Sequence, residues 1–282
     1  MNFPSITNLS LRTNKITSSA MYLAILAKIG GLFPAVTHLQ FSCLRREEFE
    51  FLLRTKAPPF PKLTALSFID RYQQIEDLPQ SLSSSILRQV SRLEFRMATW
   101  TPTFGTSLLK IFAPFLQHLD IEIENWRTAP DGQEFFDIPI MPRLQVFKIN
   151  RSAFSGNGGW IKVIKFETED LANNVMINYA KQFPVLAALS VNHTNRGESE
   201  KQQGMYFERT VQFLCNSFTP WGNRARCETL RELDIPLPPV EMFWLRGLNY
   251  NYKVEGEDKT CRRYGGNVLP SFCAGLLQRI QI

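Results

Sequence analysis

The sequence predicts an α/β solenoid: one parallel sheet built from a strand per turn, with helices on the return arms. Three observations carry this expectation: a recurring phrase, an apolar register of fixed internal spacing, and segments of helical spacing between the copies. The phrase is "FPKLTALSF" at residues 60–68. Near copies are "FPSITNLSL" from Phe3, "FPAVTHLQF" from Phe33, "APFLQHLDI" from Ala113, "MPRLQVFKI" from Met141 and "FPVLAALSV" from Phe183.

Each copy aligns on three apolar positions, the last two separated by one residue. In chain order they are Ile6, Leu9, Leu11; Val36, Leu39, Phe41; Leu63, Leu66, Phe68; Val90, Leu93, Phe95; Leu116, Leu119, Ile121; Leu144, Phe147, Ile149; Leu186, Leu189, Val191; Leu230, Leu233, Ile235; and Leu277, Ile280, Ile282. That makes about nine units. The middle positions, 9, 39, 66, 93, 119, 147, 189, 233 and 280, are 30, 27, 27, 26, 28, 42, 44 and 47 residues apart. Alternation at the end of each phrase marks a short strand, because successive side chains of a strand point to opposite faces. Helical spacing follows or precedes the strands in "SSAMYLAILAKIG" after Ser18, "REEFEFLLRT" after Arg46, "SLSSSILRQV" before the fourth strand and "FGTSLLKIF" before the fifth. Proline ends each helix, since it fixes its own φ, lacks an N–H and pushes the preceding residue out of the helical region. Phe33, Phe60 and Phe183 then cover the corner between helix and strand with apolar area.

This LxxLxL register, with early spacings in or next to a period of about 20–29 residues, resembles the leucine-rich repeats. The position three after the last apolar residue is Asn14 in the first unit but Leu44, Arg71, Ala98 and Glu124 in the next four, so an asparagine ladder is absent. The style is similar to the irregular, ribonuclease-inhibitor-like arrays that follow F-box segments in many eukaryotic proteins. The resemblance implies a leucine-rich-repeat solenoid with a curved parallel sheet on the concave side and helices on the convex side. It also implies protein binding, and substrate recognition in an F-box-type ubiquitin ligase.

Beyond residue 150 the unit lengthens, which predicts an extra helix or a long loop per turn. "TEDLANNVMINYAKQF" from Thr168, "MYFERTVQFLCNSF" from Met205 and "PPVEMFWLRGLNYN" from Pro238 have helical spacing; residues 155–159, 192–204 and 252–267 are polar, glycine-bearing loops. The strand phrase persists through both halves, so residues 1–282 are expected to form a single solenoid, with short repeats over 1–150 and longer ones with insertions over 151–282. Terminal repeats normally carry polar caps. The strand phrases reach both chain ends, which sets the expectation of a fragment or of an array completed by neighbouring sequence, such as an upstream F-box that meets ligase subunits.

Composition bounds the function. The chain has 282 residues, 44% of them apolar, with 32 Lys and Arg against 26 Asp and Glu, for a formal charge of +6. These charges are scattered and mixed in sign, which does not favour a nucleic-acid backbone. No apolar run of 18 residues and no leader pattern occur, so no membrane contact is expected. Five cysteines without a CxxC pair suggest reduced thiols and a cytoplasmic or nuclear location rather than a disulfide framework or zinc site. Three histidines, the absence of HExxH and GxSxG, and a "GNGG" at 156–159 without a following GK[ST] give catalysis no foothold. The chain is therefore expected not to be an enzyme and to need no cofactor or metal. His38 and His118 are expected to be solvated, and the carboxylates of "LDIEIEN", Asp120, Glu122 and Glu124, to titrate normally.

The residues between the apolar ones line the open sheet face. There Arg92, Glu94 and Arg96 on the fourth strand adjoin His118, Asp120 and Glu122 on the fifth, with Lys148 beyond. This juxtaposition of signs suits a protein partner placed in register by complementary charge. Trp100 and Trp126, just past these strands, are the candidate rim anchors. The alternatives are a sensing or autoregulatory array of a larger receptor, and an enzyme that uses the insertion loops.

Overall fold

A computed structural model describes residues 2–12, 19–42, 59–70, 88–97, 102–123, 136–152, 164–166, 182–194 and 229–234. These form ten strands: β1 Asn8–Arg12, β2 His38–Ser42, β3 Ala65–Asp70, β4 Arg92–Met97, β5 His118–Ile123, β6 Phe136–Ile138, β7 Val146–Ser152, β8 Ile164–Phe166, β9 Ala188–Thr194 and β10 Glu232–Asp234. Two helices, α1 Ser19–Leu32 and α2 Pro102–Phe112, lie between strands. Eight strands make one all-parallel sheet in the order β1-β2-β3-β4-β5-β7-β9-β10. This is a repeat-like α/β array, and eight of the aligned phrases supply its strands. The ninth phrase lies outside the described residues, as do the expected helices at 46–55, 205–218 and 238–251, the three insertion loops apart from residues 192–194, and all but the last residues of those before β4 and β9.

The register never slips. Leu9, Leu39, Leu66, Leu93, Leu119, Phe147, Leu189 and Leu233 stand in one row across the sheet, and Leu11, Phe41, Phe68, Phe95, Ile121, Ile149 and Val191 in another. From β2 onward both rows are buried. A slip of one residue would turn every one of these side chains out to water, so burial of the apolar face specifies the pairing. Phe41 and Phe68 stack along their row with ring centroids 6.1 Å apart.

Two backbone devices recur ahead of strands of the large sheet. In "FPxV/L" the fourth residue's N–H donates to the carbonyl of the first, as in Val36 to Phe33 at 3.3 Å, Leu63 to Phe60, Leu144 to Met141 and Leu186 to Phe183, each at 3.2 Å. Proline suits the second place of such a turn because its φ is preset and its missing N–H is not needed there. The residue just before each strand then offers one carbonyl to two consecutive N–H groups of the next unit. Thr37 and His38 donate to Thr7, Thr64 and Ala65 to Thr37, Ser91 and Arg92 to Thr64, and so on through Gln117, Gln145 and Ala187 to Arg231 and Glu232.

Helix α1 is rich in Ala, Leu and Met and stops before Pro34. Gly30, near its end, touches the next unit: a Cβ there would meet the Pro59 carbonyl oxygen at 2.2 Å, whereas one on Gly31 would meet nothing within 4 Å. Helix α2 begins at Pro102, two residues before the predicted segment, because proline's fixed φ is already helical at a first position. Leu108, Leu109 and Phe112 bury its inner face.

The return arms after β5 and β7 contain short strands where the simple pattern expects helices. β6 and β8 pair in parallel as a two-stranded sheet, and β6 neighbours α2. Buried Gln182 ties two turns together: its Nε2 donates to the Ile138 carbonyl at 2.8 Å, and its own carbonyl accepts from Met141 N at 2.9 Å.

Candidate functional site

The face of the sheet opposite the apolar rows is polar, and the unshifted register arranges it in three rows. Across β4, β5 and β7 the first row is Arg92, His118, Val146; the second is Glu94, Asp120, Lys148; the third is Arg96, Glu122, Asn150. All seven strand residues named from the sequence therefore meet on one surface. Trp100 and Trp126 lie outside the described residues. Three cations and three carboxylates share the block, so at neutral pH the patch carries both signs and no excess of either.

The signs are only partly matched. Along β4, Arg92 Nε donates to Glu94 Oε1 at 2.7 Å and its second guanidinium nitrogen pairs with the same oxygen. Between strands, Arg96 Nε meets Glu122 Oε2 at 2.7 Å. Asp120 Oδ1 accepts from Asn150 Nδ2 at 2.8 Å. Lys148 stands directly opposite Asp120, yet among the described residues it closes no ion pair. The Arg92 and Arg96 side chains stay nearly half exposed, whereas those of Glu94 and Glu122 are 25% and 20% exposed.

Two expectations fail here. His118 is not a solvated histidine: burial, then the Arg92 and Lys148 charges, push its pKa down to about 4, with Glu94 opposing. Its Nε2 is buried and has no hydrogen-bond partner among the described residues. Nor does Asp120 titrate as an ordinary surface carboxylate. Burial and neighbouring Glu94 raise it, opposed by Lys148, the Asn150 hydrogen bond and Arg92. The neutral imidazole and the half-desolvated carboxylate lie two residues apart on β5.

The block has matching flanks. On β3, Ala65 and Ser67 occupy the first and second rows and are buried, between the longer His38 and Gln40 on one side and Arg92 and Glu94 on the other. On β9, half-buried Ala188 and buried Ser190 occupy the same two rows next to Val146 and Lys148, and Ser190 Oγ donates to Asp234 Oδ2 at 3.0 Å. Both strands read Ala-Leu-Ser. Asn150, which orients Asp120, carries no distinguishing motif; only the alignment of the units, which puts it beside Glu122, hints at its place.

Among the described residues no group of three His, Cys, Asp or Glu side chains is arranged to hold a metal ion, and no helix is long and apolar enough to cross a membrane. What the arrangement offers chemically is a mixed-sign surface with fixed row spacing. Comparison with models of protein families, with curated proteins and with solved structures returns no match to this chain.

Proposed function

We propose that the protein is a non-catalytic binding scaffold of the leucine-rich-repeat type, with about nine units, whose polar sheet face recognises another protein. The observation that carries this reading is the in-register block of Arg92, Glu94, Arg96, His118, Asp120, Glu122 and Lys148, built on a sheet whose other face is locked by burial. A mixed-sign surface of fixed spacing complements a protein surface better than a uniform polyanion. The repeat style supports the finer reading, in which the scaffold selects substrates for an F-box-type ubiquitin ligase in the cytoplasm or nucleus. It requires no cofactor.

Quantitative affinity capture from cell lysate tests the reading. The intact chain is compared with an Arg92→Glu, Arg96→Glu, Asp120→Lys variant that keeps its circular dichroism. A discrete partner, with or without ligase subunits, should be depleted at least about tenfold on the variant, the scale of losing one or two charge contacts. Equal recovery on both baits would remove the polar face from the binding function, and recovery without ligase subunits would remove only the ligase assignment.

A further inference from the structure

In the two rows that β4 and β5 share first, no side chain faces one of opposite charge across the strands. Arg92 is the direct cross-strand neighbour of His118, and Glu94 of Asp120. The third row is matched instead, Arg96 against Glu122. Like charges directly opposite one another on a sheet face are destabilising, and unlike ones mildly stabilising. A surface arranged for the fold alone would repeat the third row. Burial first, and these charges after it, act on both neighbours on β5: His118 is held neutral by burial with Arg92 and Lys148 beside it, and Asp120 is raised by burial with Glu94 beside it, against Lys148, Asn150 and Arg92. Asp120 does have the Asn150 amide, and Glu94 has Arg92, but the buried Nε2 of His118 has no partner among the described residues.

Building on the scaffold reading, we infer that these two rows seat one extended segment of the partner, which lays a carboxylate across Arg92 and His118 and, two residues along, a Lys or Arg head group across Glu94 and Asp120. The spacing follows from strand geometry. The rows are two residues apart on β4 and β5, and a strand advances about 3.3 Å per residue, so they lie roughly 6.6 Å apart. An extended peptide repeats its same-face side chains at that distance, so the two charges fall over the two rows together. A carboxylate suits the first row better than a phosphate, because a dianion would stand one row from both Glu94 and Asp120. A nucleic-acid strand supplies no cation for the second row.

The seat supplies the opposite charge that each of the two rows lacks between β4 and β5. The partner's carboxylate offsets the Arg92 and Lys148 charges around His118, and its cation separates Glu94 from Asp120. The third row, already matched, is left as a neutral border.

Selection of a displayed random dodecapeptide library on the immobilised full chain tests the inference. Enriched peptides should carry opposite charges at i and i+2. A synthetic copy of the strongest should lose at least about tenfold in affinity for an Arg92→Glu, Glu94→Arg, Asp120→Lys variant, which exchanges the row signs and keeps the pair along β4. Exchanging the two charges of the peptide should restore binding to that variant. Asp120→Asn, whose amide oxygen still accepts from Asn150 Nδ2, should weaken the original peptide by itself, and it decides the matter if the triple variant fails to fold. Peptides that depend on the variant positions but show no i, i+2 alternation, or are not rescued by charge exchange, overturn this inference and leave the scaffold face standing. Purely acidic peptides do the same. Peptides indifferent to every substitution on the face, or no enrichment at all, overturn both.

Discussion

The two faces of the eight-stranded sheet follow different rules. On the apolar face, eight strands spread over more than two hundred residues present nearly the same side chains in the same rows, all of them buried from β2 onward. On the polar face no two neighbouring strands agree: β3 is small, β4 charged, β5 carries a half-buried histidine and aspartate, and β9 is small again. Burial tolerates little variation, because each apolar side chain has neighbours above, below and along its row. The polar face is released from that constraint, so burial does not dictate its departures from cross-strand charge pairing, above all Glu94 beside Asp120.

Substitutions can widen or collapse this contrast, and the apolar face should give the largest response. Phe95→Ala removes a fully buried ring from the middle of its row and should cost about 3–5 kcal/mol in urea unfolding, by lost transfer free energy and the cavity left behind. A loss under about 1 kcal/mol would mean the rows are not a packed core. Next comes a paired test at the end of α1. Gly30→Ala forces a methyl against the Pro59 carbonyl and should cost about 1–3 kcal/mol. Gly31→Ala meets open space and should stabilise by up to about 1 kcal/mol through helix propensity. Equal effects at the two positions would remove the contact between α1 and the next unit.

On the polar face the responses are smaller and depend on pH. His118 has a folded pKa near 4, below its ordinary 6.5, so the unfolded chain takes up a proton first as the solution is acidified. Stability is therefore lost between about pH 6.5 and 4 and is unaffected above. His118→Gln should flatten that limb by about 1–2 kcal/mol, discounted for water reaching the half-buried ring. Thermal melts at pH 7.5 and 4.5 measure it, and parallel slopes for variant and parent would disprove the burial of this imidazole. Asp120→Asn works in the opposite sense. Burial and Glu94 raise its pKa, so ionisation of Asp120 weighs against the folded state, and the amide should stabilise the chain by roughly 0.5 kcal/mol while weakening partner binding. Any clear destabilisation would mean that Asp120 serves the fold. The smallest effect belongs to Arg96→Ala, an exposed pair worth about 0.2–1 kcal/mol and screened by salt.

The apolar face was legible in the sequence because period and burial are the same signal: Leu66 and Phe68, or Leu119 and Ile121, announce both a strand and its inward side. Pro34, Pro61, Pro142 and Pro184 likewise announce their turns through one fixed dihedral. The return strands β6 and β8 were not legible, since three residues such as Phe136–Ile138 are too few to show an alternation. The site was half legible. Alignment of the units placed Arg92 beside His118 and Glu94 beside Asp120, but neither the burial of His118 nor the amide that holds Asp120 could be read there. Both depend on side chains from strands some 26 to 30 residues away in the chain, and on how far each reaches across a neighbour.

Seven carbonyls of the large sheet each serve two N–H groups of the next unit. The residues that supply them, Thr7, Thr37, Thr64, Ser91, Gln117, Gln145 and Ala187, range from hydroxyl to amide to methyl, and although the Thr37 and Thr64 hydroxyls also donate to the preceding carbonyl at 3.3 Å, the part of the joint common to all seven is main chain. Nothing in the joint measures how much chain lies between one unit and the next. The separation between strands can grow from 28 residues before β7 to 42 after it while the partners stay opposite one another. Such an array can lengthen by splicing: a segment inserted on a return arm, or a whole unit added between two carbonyls, asks nothing new of its neighbours, and the polar face acquires another row of letters without a change of grammar.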